Sequence, residues 1–415
     1  MTERTKATLL FTAYFSKTTD KVHKPLSLTE WNKFVRWQQT KNLSPEIFLS
    51  NESETILADW NDQGISKNRL LGLLERKAAL GIALDKWSRA GVWIINRGDQ
   101  DYPSKIKEKL KGLAPSIFFG IGNKELLQQH YAGVVGSRAT DELDLEHSNQ
   151  IGQKMVQQKY GIVSGGAKGV DEAAMLGALD AGGSSVGILA DSLIKKSASS
   201  QYRKHIVSGK LVLMSPYNPE AGFNAGNAMS RNKLIYSMSD FSIVVKSDIK
   251  GGTWEGAKEN LKNDWVPLWV FDSEEKGNRE ILKLGAKLLV DVSGISAESL
   301  KNPAKDSNQG TLFEKEPKPS MKGHKHAVNK EIGTSSTSEC DLSKENNEHG
   351  TEFYELFLTQ WRHLFKSGPV SKEMLCTRLG LTISQVEIWL EKALSVQSVS
   401  KQNEEDETWY SAITR

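Results

Sequence analysis

Residues 161–189, GIVSGGAKGVDEAAMLGALDAGGSSVGIL, determine the fold class that we predict for this chain. The apolar run at 161–163 is typical of a buried strand, and the turn Ser164–Gly169 that follows it holds three glycines and one lysine. A helical stretch, VDEAAMLGALDAG, comes after the turn, and the apolar run SSVGIL then begins a second strand. A strand, a glycine turn, a helix and another strand in succession predict a crossover between two parallel strands.

The same pattern recurs on both sides of this stretch. Upstream, YAGVVGSRAT (131–140) is an apolar run that ends in a glycine turn, and a helix-like stretch follows it. Downstream, KLVLMSPY (210–217), DFSIVVKSD (240–248) and VPLWVFD (266–272) predict further strands. Strands that alternate with helices predict an α/β fold. We expect a Rossmann-like domain over residues 120–300, with helices on both faces of a parallel sheet and ligands bound at the carboxyl ends of its strands.

The glycine turn after the first quoted strand has the composition of an anion-binding site. Gly165, Gly166 and Gly169 allow backbone N–H groups to approach an anion closely, and the following helix adds the positive end of its dipole. Lys168 adds a mobile positive charge. The alternative is a tight turn whose glycines only relieve packing, but the presence of three glycine turns at strand ends favours a bound phosphate. The other two turns are Gly136-Ser137-Arg138 and Lys250-Gly251-Gly252-Thr253.

A basic segment in GNAMSRNKLIYSMSD (226–240) strengthens the prediction of a phosphate site. Arg231, Asn232 and Lys233 come just before an apolar strand, where arginine can bind a phosphate through two nitrogens and asparagine can contact a base or a backbone oxygen. A helix N-terminus with solvated basic residues is the alternative, which the neighbouring glycine turns disfavour. The predicted DNA- or phosphate-binding residues are therefore Gly136, Ser137, Arg138, Ser164, Gly165, Gly166, Lys168, Gly169, Arg231, Asn232, Lys233, Lys250, Gly251, Gly252 and Thr253.

Composition excludes several classes of protein. No run approaches the roughly 18 to 20 apolar residues of a membrane span. The N-terminal MTERTKATLLFTAYF is a poor signal peptide because Glu3 interrupts its basic start. The two cysteines, Cys340 and Cys376, give neither a disulfide framework nor a metal site. We therefore expect a cytoplasmic protein with no metal, no cofactor and no membrane contact, and we assign no catalytic residue.

The distribution of apolar and polar residues predicts three further parts of the chain. Residues 1–119 form a mostly helical domain and a lead-in to the next domain, because tryptophans and leucines recur there at helical spacing and form a core face. Residues 301–350 are rich in Lys, Glu, Ser, Asn and Pro, which predicts a disordered linker. Residues 351–415 read as three helices followed by a short hairpin, which predicts a winged-helix-like domain.

Charge is distributed unevenly along the chain. The net charge is +3, while residues 1–119 carry +6 and residues 351–415 carry −2. This modest excess is compatible with nucleic-acid binding but does not require it. Because the C-terminal part is acidic and its hairpin carries NEEDE (403–407), we favour a protein-interaction or regulatory role for it over tight DNA binding.

Four motifs, in this order, resemble the Rossmann-like domain of the DNA-processing protein A (DprA/Smf) family. They are VVGSR, GIVSGGAKGVDEAAMLGAL, MSRNKLIYSMSDFSIVV and KGGTWEGA, and residues 351–415 are similar to the winged helix of the same family. The resemblance implies a cytoplasmic, non-enzymatic protein that binds single-stranded DNA during natural transformation, passes it to a RecA-type recombinase and forms a homodimer. It assigns phosphate contacts to Ser137, Arg138, Ser164, Gly165, Lys168, Arg231, Asn232 and Lys233.

The chain departs from the family pattern at three places. Lys168 stands where the family usually has arginine, and Met175 stands where a histidine usually follows the aspartate of the helix. FNAGNAMS (223–230) replaces the proline that often precedes the basic segment. These departures lie in the motifs expected to contact DNA.

Different functions would use the same features. KGGTWEGAKE (250–259) partly resembles the glycine-threonine-glutamate signature of LOG-type phosphoribohydrolases, in which a carboxylate could stabilise an oxocarbenium-like transition state. Glu255 is the candidate carboxylate, but it stands one residue too close to Thr253, so we rank catalysis below binding. The same phosphate turns would also suit a small-nucleotide sensor that acts in defence against foreign DNA. A scaffold that recruits partners through the C-terminal domain is a further hypothesis.

Overall fold

The computed structural model describes residues 1–15 and 23–303 continuously. In the C-terminal part it describes residues 370–371, 387, 390, 394, 399–404 and 407–412. The chain forms two compact units, Met1–Leu312 and Phe313–Arg415. The disordered linker that we predict for 301–350 lies outside the described residues beyond Pro303, and so do most of the helices predicted for 351–415.

Helices and an aromatic core form the N-terminal part of the first unit. Phe11, Phe34 and Phe48 are fully buried and contact one another with ring centroids 5.1–5.8 Å apart. Ser27 starts the second helix with a capping box, in which its hydroxyl accepts from the Glu30 N–H and the Glu30 carboxylate accepts from the Ser27 N–H. The helices described before the first strand are α1 (Glu3–Thr12), α2 (Leu28–Thr40), α3 (Ser53–Ile56), α4 (Lys67–Leu74) and α5 (Lys77–Arg89).

A nine-stranded sheet forms the centre of the first unit. Its strands are β1 (Trp93–Asn96), β2 (Ile117–Gly122), β3 (Tyr131–Val135), β4 (Gly161–Ser164), β5 (Ser185–Ile188), β6 (Leu211–Ser215), β7 (Phe241–Val244), β8 (Leu268–Phe271) and β9 (Lys287–Leu289). They lie in the order β1-β2-β6-β5-β4-β3-β7-β8-β9. The strands from β3 to β9 pair in parallel, whereas β1 and β2 are antiparallel additions beside β6.

Helices cover both faces of this sheet. Every residue of β3 to β7 is buried, as expected for parallel strands that are covered on both sides. Val134 and Val135 point to opposite faces and belong to two different hydrophobic clusters. The helices are α6 (Ser104–Leu110), α7 (Glu142–Gln157), α8 (Val170–Asp180), α9 (Leu193–Ser197), α10 (Ser200–Val207), α11 (Ala225–Met238), α12 (Gly252–Asn263), α13 (Lys276–Lys283) and α14 (Ala297–Lys301). The α/β Rossmann-like fold that the sequence predicts is confirmed.

The winding direction of the sheet changes at β3. The chain runs from β3 through β4 and β5 to β6 in one direction, and then returns to place β7 on the other side of β3. Ligands of open parallel sheets bind beyond the carboxyl ends of the strands where the winding changes direction. The turns after β3, β4 and β7 lie at this edge.

The domain boundary that we predict at residue 119 falls inside β2. Phe119 pairs with Ile94 of β1 on one side and with Ser215 of β6 on the other. Because this backbone pairing makes β1 and β2 part of the central sheet, the N-terminal helices and the Rossmann-like part lie in one compact unit.

The second unit contains a small antiparallel sheet. Its strands are β10 (Val370–Ser371), β11 (Val399–Glu404) and β12 (Glu407–Ala412), and they lie in the order β10-β12-β11. The pair β11 and β12 corresponds to the short hairpin expected near the end of the chain. Across the described ranges of both units, every helix is too short or too polar to cross a bilayer.

Candidate functional site

Three turns at the carboxyl edge of the sheet contact one another. The turn after β3 touches the turn after β7, because the Ser137 N–H donates to the carbonyl oxygen of Lys246 at 2.9 Å. It also touches the turn after β4, because the Val170 N–H donates to the carbonyl oxygen of Ser137 at 3.4 Å. The turn after β3 therefore contacts the loops on both sides of it, and it contacts the loop after β7 at Lys246, ahead of the predicted turn Lys250–Thr253.

Close packing between the first two turns requires two of the predicted glycines. A Cβ atom on Gly169 would lie 2.6 Å from the carbonyl oxygen of Ser137, and the φ angle of Gly169 is +96°. A Cβ atom on Gly136 would lie 2.5 Å from Cγ2 of Val170. These two glycines have the packing role that the sequence analysis placed second to phosphate binding.

A buried carboxylate occupies part of the expected anion site. Asp171, at the start of α8, accepts a hydrogen bond from the Gly165 N–H at 3.1 Å, and the N–H groups of Gly136 and Ala167 also point to it. Burial raises the pKa of Asp171, while Arg231 and these three N–H groups act in the opposite direction. The backbone donors of Gly136 and Gly165, which we expected to hold a phosphate, instead hold this internal carboxylate.

Other N–H groups of the second turn are not used by Asp171. The N–H groups of Gly166, Lys168 and Gly169 have no acceptor within the described part of the chain. They precede α8, whose N-terminal end favours negative charge. The Lys168 side chain is exposed at the same turn. Because Gly166 and Gly169 are buried, an anion from outside meets this turn at Lys168.

Arg231 lies in the interior and not in a basic turn. The sequence analysis placed it just before a strand, but it occupies the middle of α11 and is 4% exposed. Its Nη1 is 3.9 Å from Oδ2 of Asp171, and its guanidinium contacts Gly165 so closely that a Cβ atom there would overlap it. Burial lowers the pKa of Arg231, and Asp171 opposes this. Because the helix turns this side chain toward the sheet, Arg231 supports the second turn from beneath.

Asn232 and Ser164 also bond within the protein. The Asn232 side-chain amide donates to the carbonyl oxygen of Gly252 at 2.7 Å, which fastens the turn after β7 to α11. The Ser164 hydroxyl is buried and donates to the carbonyl oxygen of Val134 at 2.6 Å, which joins the ends of β4 and β3. Both side chains were expected to contact phosphate directly, and the structure uses their polar atoms to build the edge.

The remaining predicted residues lie on or near the surface. Arg138, Lys168, Lys250 and Gly251 are exposed, while Ser137, Lys233, Gly252 and Thr253 are half-buried. The exposed cations stand on the turns after β3, β4 and β7 respectively, so each turn contributes one mobile positive charge. A positively charged rim of this kind suits the phosphates of an extended strand.

One aromatic residue of this surface was missed by the sequence analysis. Phe223, in the loop between β6 and α11, is 55% exposed, and the Arg138 guanidinium lies over its ring at 4.6 Å from the centroid. An exposed phenylalanine ring beside an arginine is a surface on which a base can stack. The available signal was a single aromatic residue in the polar, glycine-containing loop NPEAGFNAGN (218–227).

Glu255 is an exposed residue of a helix and lines a cavity of about 700 Å³ together with Lys233 and Lys258. It lies in the first turn of α12, its side chain is 48% exposed, and its carboxylate is 3.4 Å from Nζ of Lys258. Elsewhere in the described ranges, no three His, Cys, Asp or Glu residues are grouped so that they could hold a metal ion. The chemistry that the edge offers consists of exposed cations, free N–H groups and an aromatic ring.

Comparison with known proteins matches the same region. A family model described as DNA recombination-mediator protein A matches residues 93–299. The DNA processing protein DprA of Streptococcus pneumoniae is 29% identical over 206 residues, which cover 48% of this chain and 72% of that protein. The DNA processing protein DprA of Bacillus subtilis is 25% identical over 222 residues, which cover 52% of this chain and 74% of that protein.

A solved structure has the same fold. The X-ray structure of DprA from Streptococcus pneumoniae superimposes with a TM-score of 0.51 at 20% sequence identity. The superposition covers 71% of this chain and 96% of the pneumococcal chain. The superposition therefore extends beyond the region that the family model matches.

Proposed function

Because the chain belongs to the DprA/Smf family of DNA-processing proteins, we propose that the carboxyl edge of its sheet binds single-stranded DNA. The observation that carries this proposal is the exposed pair Arg138 and Phe223 beside the cations Lys168 and Lys250. We refer to these four residues as the edge surface. A single strand presents phosphates and unpaired bases. The cations of the edge surface can pair with the phosphates, and its aromatic ring can stack on a base.

The groups of the edge surface favour a single strand over a duplex. Cations neutralise phosphates of either form, so Lys168 and Lys250 alone do not discriminate between them. An aromatic ring such as Phe223 stacks on the face of a base, and in a duplex these faces are covered by neighbouring base pairs. The position of Phe223 next to Arg138 therefore supports preference for a strand whose bases are accessible.

The partners and biological setting belong to the same proposal. The resemblance supports delivery of the bound strand to a RecA-type recombinase, action as a homodimer and a cytoplasmic role in DNA uptake and recombination. We propose that the protein acts by binding, without cleaving the strand or a nucleotide. The exposed Glu255 supports this view, because its carboxylate pairs with Lys258.

A binding comparison tests the proposed function. The triple variant Arg138→Ala, Lys168→Ala and Lys250→Ala should weaken binding of single-stranded DNA strongly and reduce the salt slope by roughly 0.7 per lost phosphate contact. The measurement is fluorescence anisotropy with single-stranded DNA, duplex DNA of equal length and a mononucleotide over a range of salt concentrations. We expect the wild-type protein to prefer the single strand and the affinity to fall as salt rises.

A charge-matched variant controls for the loss of three cations. Lys204, Lys210 and Lys283 are exposed and lie near the carboxyl ends of α10 and α13 or just before β6, at the opposite edge of the sheet. Replacing these three lysines with alanine should leave the affinity for single-stranded DNA nearly unchanged. Equal losses in the two triple variants, or equal wild-type affinity for single-stranded and duplex DNA, would contradict the proposal.

A further inference from the structure

A cavity of about 560 Å³ lies beside the edge surface. It is at the carboxyl end of β6, where Pro216 and Tyr217 form one wall. Because β2 runs antiparallel to β6, with Phe119 opposite Ser215, the beginning of β2 reaches the same edge and supplies the floor. The N-terminal helical part closes the cavity with residues that include Tyr14. The cavity therefore lies at the same edge of the sheet as the three turns, at the position of β6.

The lining of the cavity suits a flat, uncharged group. Aromatic and aliphatic side chains dominate it, among them Tyr14, Phe119, Leu113 and Tyr217. Polar side chains such as Asn227 and Ser230 also line it, and Lys233 is the only charged side chain among the described residues that do so. A predominantly apolar pocket with a few polar groups is typical of small organic ligands, and its volume falls within their usual range of roughly 300 to 1,000 Å³.

The walls of the cavity are held in place before any ligand arrives. The Tyr217 hydroxyl donates to the carbonyl oxygen of Asn227 at 3.0 Å, and this bond fixes one wall to the start of α11. The side-chain amide of Asn218 donates to the carbonyl oxygen of Tyr14 at 2.6 Å, and this bond joins the loop after β6 to the N-terminal part. A pocket that is already formed costs little ordering when a ligand binds.

We propose that this cavity receives one unstacked base of the bound single strand, with Lys233 contacting an adjacent phosphate. The proposal rests on the proposed function. Its support is continuity, because the single loop after β6 carries Tyr217 and Ala221 of the cavity and also Phe223 of the edge surface. A strand with one base stacked on Phe223 therefore has a neighbouring base close to the cavity. The apolar and amide groups of the lining suit a neutral base, and the single cation, Lys233, suits the charged backbone to which that base is attached.

Two neutral substitutions test the proposal. Ala221→Phe places a ring in the cavity, and Leu113→Ala removes an apolar side chain that is 52% exposed at its rim. Neither changes the charge of the protein, so neither alters the attraction for phosphates. The control is Val207→Phe, at a position 81% exposed near the end of α10 and remote from the cavity lining. Thermal melting of all variants establishes that they are folded, and the rim position of Leu113 keeps the test available if Ala221→Phe destabilises the protein.

The probes are a thymidine oligonucleotide and an oligonucleotide of equal length made only of abasic sites. We expect Ala221→Phe to weaken binding of the thymidine strand about tenfold, as for one lost base–aromatic contact, and Leu113→Ala to weaken it a few-fold. Binding of the abasic strand should change less than twofold. Val207→Phe should affect neither strand.

Three results would overturn the proposal, and they separate it from the proposed function. If both cavity variants bind the thymidine strand as the wild type does while the edge-surface triple variant does not, the cavity takes another ligand, such as a protein segment, and the proposed function stands. If the cavity variants weaken both strands equally, the cavity contacts the backbone and not a base. If the wild-type protein binds neither strand, the proposed function fails together with the cavity proposal.

Discussion

At the scale of single residues, Asp171 and Arg231 form a charged pair in the interior of the site, beneath its exposed groups. Both side chains are buried, and their charged atoms approach to 3.9 Å beneath the turn after β4. Nε and Nη1 of Arg231 have no hydrogen-bond partner in the part of the chain that the structure describes. Asp171 is thus the only close anionic partner described for this guanidinium, and the two charges depend on each other.

Replacement of Arg231 should act on stability more than on the salt slope of DNA binding. Arg231→Ala leaves the buried carboxylate of Asp171 without its cation, and removing one member of a buried pair costs about 3–5 kcal/mol. We expect a correspondingly lower free energy of unfolding in chemical denaturation. Well below the melting temperature, the salt slope for single-stranded DNA should remain that of the wild type.

An exposed ion pair provides a control substitution for Arg231→Ala. Arg89 pairs with Asp85 at 2.9 Å on the surface of α5, where such a pair contributes about 0–1 kcal/mol. Arg89→Ala should therefore change stability little. If Arg231→Ala instead kept full stability and reduced the salt slope, Arg231 would contact phosphate, as the sequence analysis expected.

Lys109 makes the stability of the folded protein depend on pH in the alkaline range. Its ammonium donates to the carbonyl oxygen of Ser239 at 2.7 Å, and burial lowers its pKa from 10.5 to about 8 despite the nearby Asp240. Between about pH 8 and 10.5 the unfolded chain holds a proton on Lys109 that the folded chain does not, so this group makes stability rise with pH in that window. The rise is on the order of 3 kcal/mol.

Denaturation at a series of pH values measures this contribution. Lys109→Met should show a smaller increase, or a steeper decrease, of unfolding free energy from pH 8 to 10.5 than the wild type. Lys107→Met, on the exposed side of the same helix α6, should follow the wild-type profile. Parallel profiles for the wild type and Lys109→Met would show that Lys109 keeps its ordinary pKa.

At the scale of elements, α11 organises the carboxyl edge. It directs Arg231 to the turn after β4, Asn232 to the turn after β7 and Lys233 to the cavity beside β6. Consecutive residues of a helix point about 100° apart, so three neighbouring side chains reach three different structures. The basic segment therefore connects parts of the site that are far apart in the sequence.

Loss of the Asn232 contact should loosen one turn without unfolding the protein. Asn232→Ala removes the hydrogen bond to Gly252, whose net contribution is about 0.5–1.5 kcal/mol. We expect faster amide hydrogen exchange in residues 249–254 and a small loss of stability. Exchange in the turn after β4 should stay unchanged, since Asn232 does not bond to it. Unchanged exchange in residues 249–254 would mean that α12 holds this turn by itself.

At the scale of the whole molecule, all groups of the proposed DNA site belong to the first unit. Arg138, Lys168, Phe223 and Lys250 precede Leu312, the last residue of that unit. The C-terminal part from residue 351 carries a net charge of −2, which does not attract phosphates. Binding of DNA and the role of the C-terminal part should therefore be separable.

A shortened chain tests this separation. A protein that ends at Leu312 should fold and keep its affinity for single-stranded DNA within about twofold, because it retains the complete sheet and its edge. Mild proteolysis of the full chain should release a stable fragment that ends near residue 303. Anisotropy with the same oligonucleotide compares the two proteins. A large loss of affinity in the shortened chain would assign DNA contacts to the C-terminal part.

The sequence was a good guide to the positions of strands and turns. The turns at 136–138, 164–169 and 250–253 do follow strands and do meet at one edge, because apolar runs and glycine turns are local signals. The basic segment at 231–233 was expected just before a strand but lies within a helix. Its apolar residues continue directly toward β7, so the end of α11 and the start of the strand could not be told apart by periodicity alone.

By itself, the sequence determined the α/β class, the order of strands and helices and the edge at which we propose that DNA binds, since these follow from local patterns and from the geometry of parallel crossovers. Only the tertiary structure decided which polar groups face inward. Asp171 and Ser164 satisfy buried partners, whereas Phe223 and Arg138 lie outside. The cavity beside β6 likewise exists only in the folded chain. Its walls come from residues 12–14, 26–28, 113–119 and 216–234, and contacts between such distant segments leave no local pattern in the sequence.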